Sequence, residues 1–383
     1  MSASTVPYWR LSSFYGFYFA SLGALAPFWG LYLQSLGFSA AEIGELMAVV
    51  LGTKVIAPTF WGWIAERTGL RLALVRIASF ICVLLFLGVF LGNDFWWLVL
   101  VMGGFSFFWN ASLPQFEAAT LNHLGNDVHR YTRIRLWGSL GFVVTVAALG
   151  PTLERYGVGL LPWAMVFLYL GIWFSSLWVA EPPDPPHPEH HDPLRRVLRR
   201  PEVLTFLLAC FLLQAGHGAY YGFYSIYLES EGYSKSLIGQ LWALGVIAEV
   251  VVFVVMHRLL DRFGAARVLA WSLGLAAIRW VLIGNFVESL PMLLFAQILH
   301  AASFGTYHAS AIQLVHRYFR GRNQGMGQAL YSSVSFGAGG ALGTLGSGYL
   351  WDSVGPWATF MIAAAVGSLA WAFAQWGVSR ERK

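Results

Sequence analysis

Apolar side chains run along this chain in long continuous stretches. They show neither the three-four spacing of a surface helix nor the alternation of a half-buried strand. About twelve of these stretches reach ~18 residues or more, enough for a helix to cross a hydrocarbon core of roughly 30 Å. Their centres fall near residues 22, 52, 82, 108, 143, 170, 216, 248, 276, 303, 337 and 367. The short alternating segments of a transmembrane barrel do not occur. The pattern predicts an all-α membrane protein with twelve transmembrane helices.

Composition agrees. Hydrophobic residues make up 57% of the chain and charged residues 11%, where a soluble domain carries roughly 25% charge. The 24 Lys and Arg residues are unevenly placed. Arg155 and Lys235 fall in one set of loops and Lys54 and Arg279 inside spans. All the others lie in the alternate loops, their helix mouths or the termini. By the positive-inside rule both termini are cytoplasmic and the number of spans is even. The net charge of +5 arises from this bias, so membrane lipid, and not nucleic acid, is the expected surrounding partner. The first 34 residues read as an uncleaved span: the apolar run is too long for a signal peptide, and Pro27 follows the Ala24-Leu25-Ala26 triplet. Cys82 and Cys210 fall within spans, as packing residues with no disulfide role.

Near mid-chain the segment 181–202, EPPDPPHPEHHDPLRRVLRRPE, breaks the apolar pattern. Its prolines and mixed charges describe an extended cytoplasmic linker. The organisation expected is an N-terminal six-helix bundle over 1–180, the linker, and a C-terminal six-helix bundle over 203–383. His187, His190 and His191 in the linker have no accompanying cysteine and no second shell, so no metal site and no cofactor are expected. The two halves share a short motif: Gly62-Trp-Ile-Ala-Glu66-Arg67-Thr-Gly69-Leu-Arg71, and His257-Arg-Leu-Leu-Asp261-Arg262-Phe-Gly264-Ala-Ala-Arg267. Their acidic-Arg-x-Gly cores lie 195 positions apart, as expected of a duplicated transporter with pseudo-two-fold symmetry. These loops are expected to be conformational latches that do not touch substrate. The glycine-rich run Gly337–Gly348 predicts a helix packed at close quarters.

Ionisable groups inside a span cost roughly 2.5–3.5 kcal/mol each on insertion scales, so they normally face a cavity or a partner. Lys54 lies mid-second span. Asn110 and Glu117 share a face of the fourth, and Arg133 and Arg135 open the fifth. Glu249 is mid-eighth and Arg279 mid-ninth. Two stripes at helical spacing accompany them: Gln214, His217, Tyr221 and Tyr224 in the seventh span, and Gln297, His300, Phe304 and His308 in the tenth. Interhelical hydrogen bonding accounts for any one of these groups. Together they predict a wet, aromatic-lined central cavity.

The Gly62–Arg71 motif resembles the cytoplasmic signature of the major facilitator superfamily, with Glu66 where Asp is usual and Leu70 where a basic residue is common. The second copy has His257 where Gly is expected. More narrowly, the strings Arg135-Leu-Trp-Gly-Ser-Leu-Gly-Phe142, Leu212-Leu-Gln-Ala-Gly-His217-Gly-Ala-Tyr-Tyr-Gly-Phe223, Gly245-Val-Ile-Ala-Glu249-Val and Ile298-Leu-His300 resemble the phenylpropionate permease group. That group is related to lactose permease-like and nucleoside–proton symporters. The resemblance implies two bundles rocking around a central site, driven by a proton gradient, in a bacterial inner membrane. In lactose permease-like symporters a fourth-span Glu and a fifth-span Arg hold the sugar, and Glu117 and Arg135 have the same separation. Arg279 and His300 match a proton-handling Arg and His. The Glu expected three residues after the His is Ser303, which leaves Glu249 as the acidic candidate.

The resulting expectation is a secondary active transporter importing a small-molecule substrate with protons, as a monomer. Glu249 would carry the proton, with Arg279 and His300 modulating it. Lys54, Arg135 and Glu117, with Asn110, would line the N-terminal side, where two cations favour a substrate carboxylate such as 3-phenylpropionate. Gln214, His217, Tyr221 and Tyr224 would contact its ring. A sugar or nucleoside symporter is the neighbouring alternative, and an exporter of hydrophobic compounds by proton antiport a further one, since Gly150-Pro151 echoes an antiporter motif. An intramembrane enzyme is not expected. Gly-x-Ser-x-Gly, His-Glu-x-x-His and the phosphate-binding GxxxxGK[ST] loop are all absent, and His300 and His308 are too far apart along one helix to hold one metal alone.

Overall fold

A computed structural model of the chain describes residues 6–125, 127, 130–181, 194–320 and 323–378. The linker histidines, Arg322 and the C-terminal Arg380, Arg382 and Lys383 lie outside these residues. The described residues contain helices and no strand.

The first six spans are Tyr8–Ser35, Ala40–Thr68, Arg71–Phe86 (prolonged by a 3₁₀ turn to Phe90), Phe95–Leu124, Tyr131–Tyr156 and Leu161–Leu177. A short helix, Leu194–Leu198, precedes the seventh to ninth spans, Pro201–Ser230, Lys235–Phe263 and Ala265–Asn285. The tenth is a composite rod: Leu290–His300, a π-helical turn at Ala301–Gly305, then Thr306–Tyr318. The remaining helix runs through Asn323–Ser332, a second π segment at Ser333–Gly339, and Gly340–Gly377.

That last element is too long for one crossing. It breaks at Gly355, where φ is +86° and Pro356 follows, a left-handed turn that only glycine adopts freely. Ten helices among the described residues are long and apolar enough to cross a membrane, counting the final 54-residue element once and leaving out the π-interrupted tenth rod. Dividing the former at Gly355 and including the latter gives the twelve rods expected from the apolar pattern.

Local chemistry fixes the helix starts. Ser39 and Glu42 form a reciprocal capping box: Ser39 Oγ accepts from the Glu42 N–H at 3.3 Å, and Glu42 Oε2 accepts from the Ser39 N–H at 2.9 Å. Asp94 Oδ1 accepts from Trp96 N–H and Trp97 N–H at 3.0 and 3.2 Å. Caps of this kind contribute about 1 kcal/mol each.

The first and seventh spans are interior, with 72% of their most apolar windows buried, whereas the fifth buries only 28%. Its remaining apolar surface, like that of Ile56, Leu100, Phe167 and Val254, is the face a bilayer would cover. The chain halves share one apolar core at the end remote from the termini, where Phe28, Val146, Tyr227, Ile238 and Phe360 belong to a single cluster. Toward the termini the C-terminal half has its own core, built around Phe206, Leu273, Leu314 and Tyr331. At one end, then, the halves share a core, and at the other the C-terminal half packs its own.

Candidate functional site

In the C-terminal half, one buried cation organises the interior. Arg279 on the ninth span is fully buried. Its Nε donates to Ala296 O at 2.9 Å, Nη2 donates to Gln297 Oε1 at 3.2 Å, and Nη1 lies 2.8 Å from His300 Nδ1. The guanidinium also sits over the Tyr220 ring at 4.1 Å. Tyr220 OH donates in turn to Gln297 Oε1 at 3.0 Å.

Since arginine can only donate, His300 Nδ1 accepts, and the proton of a neutral imidazole sits on Nε2. Nε2 lies 2.7 Å from Glu249 Oε1 of the eighth span. The approach has ion-pair distance, yet Oε1 has no aligned hydrogen-bond donor. The sequence therefore brings Glu249, His300 and Arg279 into one chain of contacts, although they come from three spans.

Two glycines allow this approach. A Cβ on Gly245 would stand 3.2 Å from both Gln297 Oε1 and His300 Cδ2, and one on Gly305 would stand 3.3 Å from Glu249 Cγ. Gly305 closes the π turn of the tenth span. π turns inside α-helices are frequent at functional positions.

In the N-terminal half, Glu117 and Arg135 also come together, with Nε 3.9 Å from Oε1 and both side chains part-exposed. Tyr131 OH donates to Glu117 Oε1 at 3.0 Å, and Arg135 lies 3.6 Å over the Phe19 ring. Lys54 Nζ is 5.9 Å from the Trp109 ring centroid, and among the described residues no carboxylate lies within ion-pair distance of it. Its backbone abuts the second π segment: Ser333 Oγ donates to Lys54 O at 3.4 Å.

Other expected site residues sit differently. Asn110 commits its amide to Thr53 Oγ1 at 2.8 Å and Val50 O at 3.4 Å, tying the fourth span to the second apart from the Glu117–Arg135 pair. Of the seventh-span stripe, Gln214, His217 and Tyr224 are buried, and only Tyr221 is part-exposed, toward Phe304. His217 Nδ1 lies 2.9 Å from Leu213 O, which places the ring proton there and leaves Nε2 a buried acceptor without a donor. Gln214 Nε2 and Tyr224 OH are unsatisfied as well. Such orphaned atoms are uncommon in a finished core. Arg133 is exposed and offers its backbone carbonyl to Tyr8 OH at 3.4 Å.

The repeated motifs are mostly helix rather than loop. Gly62, Glu66 and Arg67 lie in the last turns of the second span. Gly69 caps it in the left-handed region, with φ +67° and its N–H donating to Ala65 O. Arg67 covers the Trp63 ring, and Arg71 Nη1 donates to Gln115 Oε1 at 3.1 Å. In the second copy Asp261 and Arg262 are exposed before Gly264, and Arg262 lies over Phe263. Neither Glu66 nor Asp261 has an ion-pair partner among the described residues. Sequence reasoning did not single out Tyr220, Tyr131 or Phe19 as partners of the buried charges. Among the described residues no group of His, Cys, Asp and Glu could hold a metal ion.

Comparison with known proteins bears on this arrangement. A probable 3-phenylpropionic acid transporter of Escherichia coli is 31% identical over 352 residues, covering 88% of this chain and 89% of that protein. A maltose permease of Geobacillus stearothermophilus is 26% identical over 363 residues, covering 93% and 91%. The crystal structure of a point mutant of the nucleoside transporter NupG superposes with a TM-score of 0.84 at 17% identity, covering 96% of this chain and 99% of that one, which shows a common fold. Residues 8–362 match the MFS_1-like family. The match over most of its length and the identity with a transporter show that the chain belongs to the MFS_1-like family of major facilitator transporters.

Proposed function

We propose that this transporter is a proton-coupled symporter of a small organic anion, an aromatic carboxylate such as 3-phenylpropionate being its solute. The observation that carries the reading is the disposition of charge. A part-buried Lys54, with no ion-pair partner among the described residues, and a part-exposed Arg135 lie on one half, and the Glu249–His300–Arg279 chain lies on the other. An unpaired ammonium inside a span is costly, and a bound carboxylate would offset that cost.

In this reading residues 1–180 and 203–383 move as two six-helix units about the central site, in a bacterial inner membrane with both termini cytoplasmic, each monomer complete in itself. The end remote from the termini, where the halves share a core, is then the closed periplasmic face. Glu66 and Asp261, without an ion-pair partner among the described residues, would find partners when the cytoplasmic face closes. Glu249 takes up and releases its proton to water at the central site, and Arg279 holds the neutral imidazole in the tautomer whose Nε2–H faces the carboxylate and stabilises its deprotonated form.

A second reading, a neutral hydroxylated solute, draws on the Glu117–Tyr131–Arg135 cluster, a donor–acceptor set suited to sugar hydroxyls. Ligand-induced thermal stabilisation of the purified protein separates the two. The proposal expects 3-phenylpropionate to raise the unfolding temperature of the wild type and not of Lys54→Ala. Stabilisation by a nucleoside or sugar, with none by any carboxylate, would transfer the assignment to the second reading.

A further inference from the structure

The contacts that hold the halves together at the closed end are themselves duplicated. The second span begins Gly37-Phe-Ser39-Ala-Ala-Glu-Ile43-Gly44, and the eighth begins Gly232-Tyr-Ser234-Lys-Ser-Leu-Ile238-Gly239, at the same 195-position offset as the acidic-Arg motifs. Their partners repeat as well. The fifth span ends Gly150-Pro-Thr-Leu-Glu154, and the eleventh ends Gly348-Tyr-Leu-Trp-Asp352.

Each start meets the end from the opposite half. Gly44 packs on Gly348: a Cβ on Gly44 would fall 2.9 Å from Gly348 Cα. Gly239 packs on the fifth span, where its Cβ would fall 2.3 Å from Val146 O and 3.5 Å from Gly150 Cα. One turn beyond each crossing a carboxylate reaches the facing helix start. Asp352 Oδ2 accepts from the Ala41 N–H at 2.9 Å, and Glu154 Oε2 accepts from the Lys235 N–H at 2.5 Å. Both N–H groups belong to first turns that have no earlier carbonyl to pair with, and both sit at the positive end of the helix dipole.

We infer that these are two copies of one latch, related by the pseudo-two-fold axis: a glycine-on-glycine crossing closed by a carboxylate cap donated from the other half. Each half supplies one carboxylate and one helix start, so parting the halves at this end breaks both caps together. The first latch has a further tie, from Tyr349 OH to the Glu45 carboxylate. The second lacks this tie, because Pro151 and Gln240 stand in the places of Tyr349 and Glu45; instead, the Lys235 ammonium pairs with Glu229 of its own half. Glu154 is therefore the only side chain among the described residues that accepts from the start of the eighth span across the interface. The latches are independent of which solute is carried.

The test uses the full-length protein in nanodiscs, with spin labels at Asn93→Cys and Glu288→Cys, exposed positions at the closed end of the two halves. Native Cys82 and Cys210 are buried. Pulsed dipolar spectroscopy of the parent should give one short-distance population. Glu154→Ala with Asp352→Ala should add a longer-distance population, larger than either single change produces. As a steric control that removes no polar group, Gly44→Ala with Gly239→Ala should do the same. Monodispersity and a cooperative thermal transition confirm that each variant is folded. Distance distributions indistinguishable from the parent in both folded double variants would overturn the inference.

Discussion

His300 Nε2 stands 2.7 Å from Glu249 Oε1, while the same imidazole accepts from Arg279 at Nδ1, 2.8 Å away. One ring thus bridges a carboxylate and a guanidinium carried by different spans. Because Oε1 has no aligned donor, a small rotation decides whether the carboxylate is held or free to take a proton. Glu249→Gln is therefore expected to abolish accumulation against a gradient while leaving solute exchange across the membrane. Counterflow and gradient-driven uptake, measured side by side, check this. A variant that still accumulates solute in a pH-dependent manner would remove Glu249 from proton coupling.

Arg279 serves three acceptors from a fixed fork, and a lysine cannot reproduce that geometry. Arg279→Lys leaves at least one of Ala296 O, Gln297 Oε1 and His300 Nδ1 without its donor. A loss of about 1–3 kcal/mol of stability is expected for each acceptor left unsatisfied. Thermal unfolding in detergent reads the loss, and an unchanged transition would contradict the central place given to Arg279.

Lys54 has the opposite character. Without an ion-pair partner among the described residues, it contributes little to the resting fold. Lys54→Ala should leave the unfolding temperature unchanged or raised. It should weaken carboxylate affinity by roughly tenfold or more, the loss of a charge-assisted contact worth about 1.5–3 kcal/mol. Equal KM values for wild type and variant across a series of carboxylates would sink the proposed role.

Gly245 allows the tenth span to bring His300 and Gln297 close. Gly245→Val should push His300 from Glu249 and reduce coupled uptake, at an overpacking cost of about 1–3 kcal/mol. Gly245→Ala, whose Cβ meets its neighbours at 3.2 Å, should fall between that variant and wild type. Coupled uptake by Gly245→Val at the wild-type rate would show that the close approach is dispensable.

The spans, the reversal after the eleventh and the grouping of Glu117 with Arg135, and of Glu249 with Arg279 and His300, were all legible in the sequence. Long apolar runs and rare intramembrane charges are strong signals, because lipid tolerates few alternatives. The π segments at Ala301–Gly305 and Ser333–Gly339 were not legible. A register slip of one residue leaves the apolar composition of a span unchanged. Nor did spacing along one helix reveal which side chains meet across helices. Tyr224 follows the same stripe as Tyr221 yet is fully buried. Asn110 shares a face with Glu117 yet bonds Thr53 on a different neighbour. Tyr220, one position off the stripe, proved to be the platform for Arg279.

The measurement that tests the account most directly is uptake of labelled 3-phenylpropionate into proteoliposomes of the purified protein, with and without an inward proton gradient. The account predicts accumulation that requires the gradient and collapses on adding a protonophore. Uptake no greater than in empty liposomes, with sugars or nucleosides accumulated instead, would contradict the assignment of an aromatic acid as the solute.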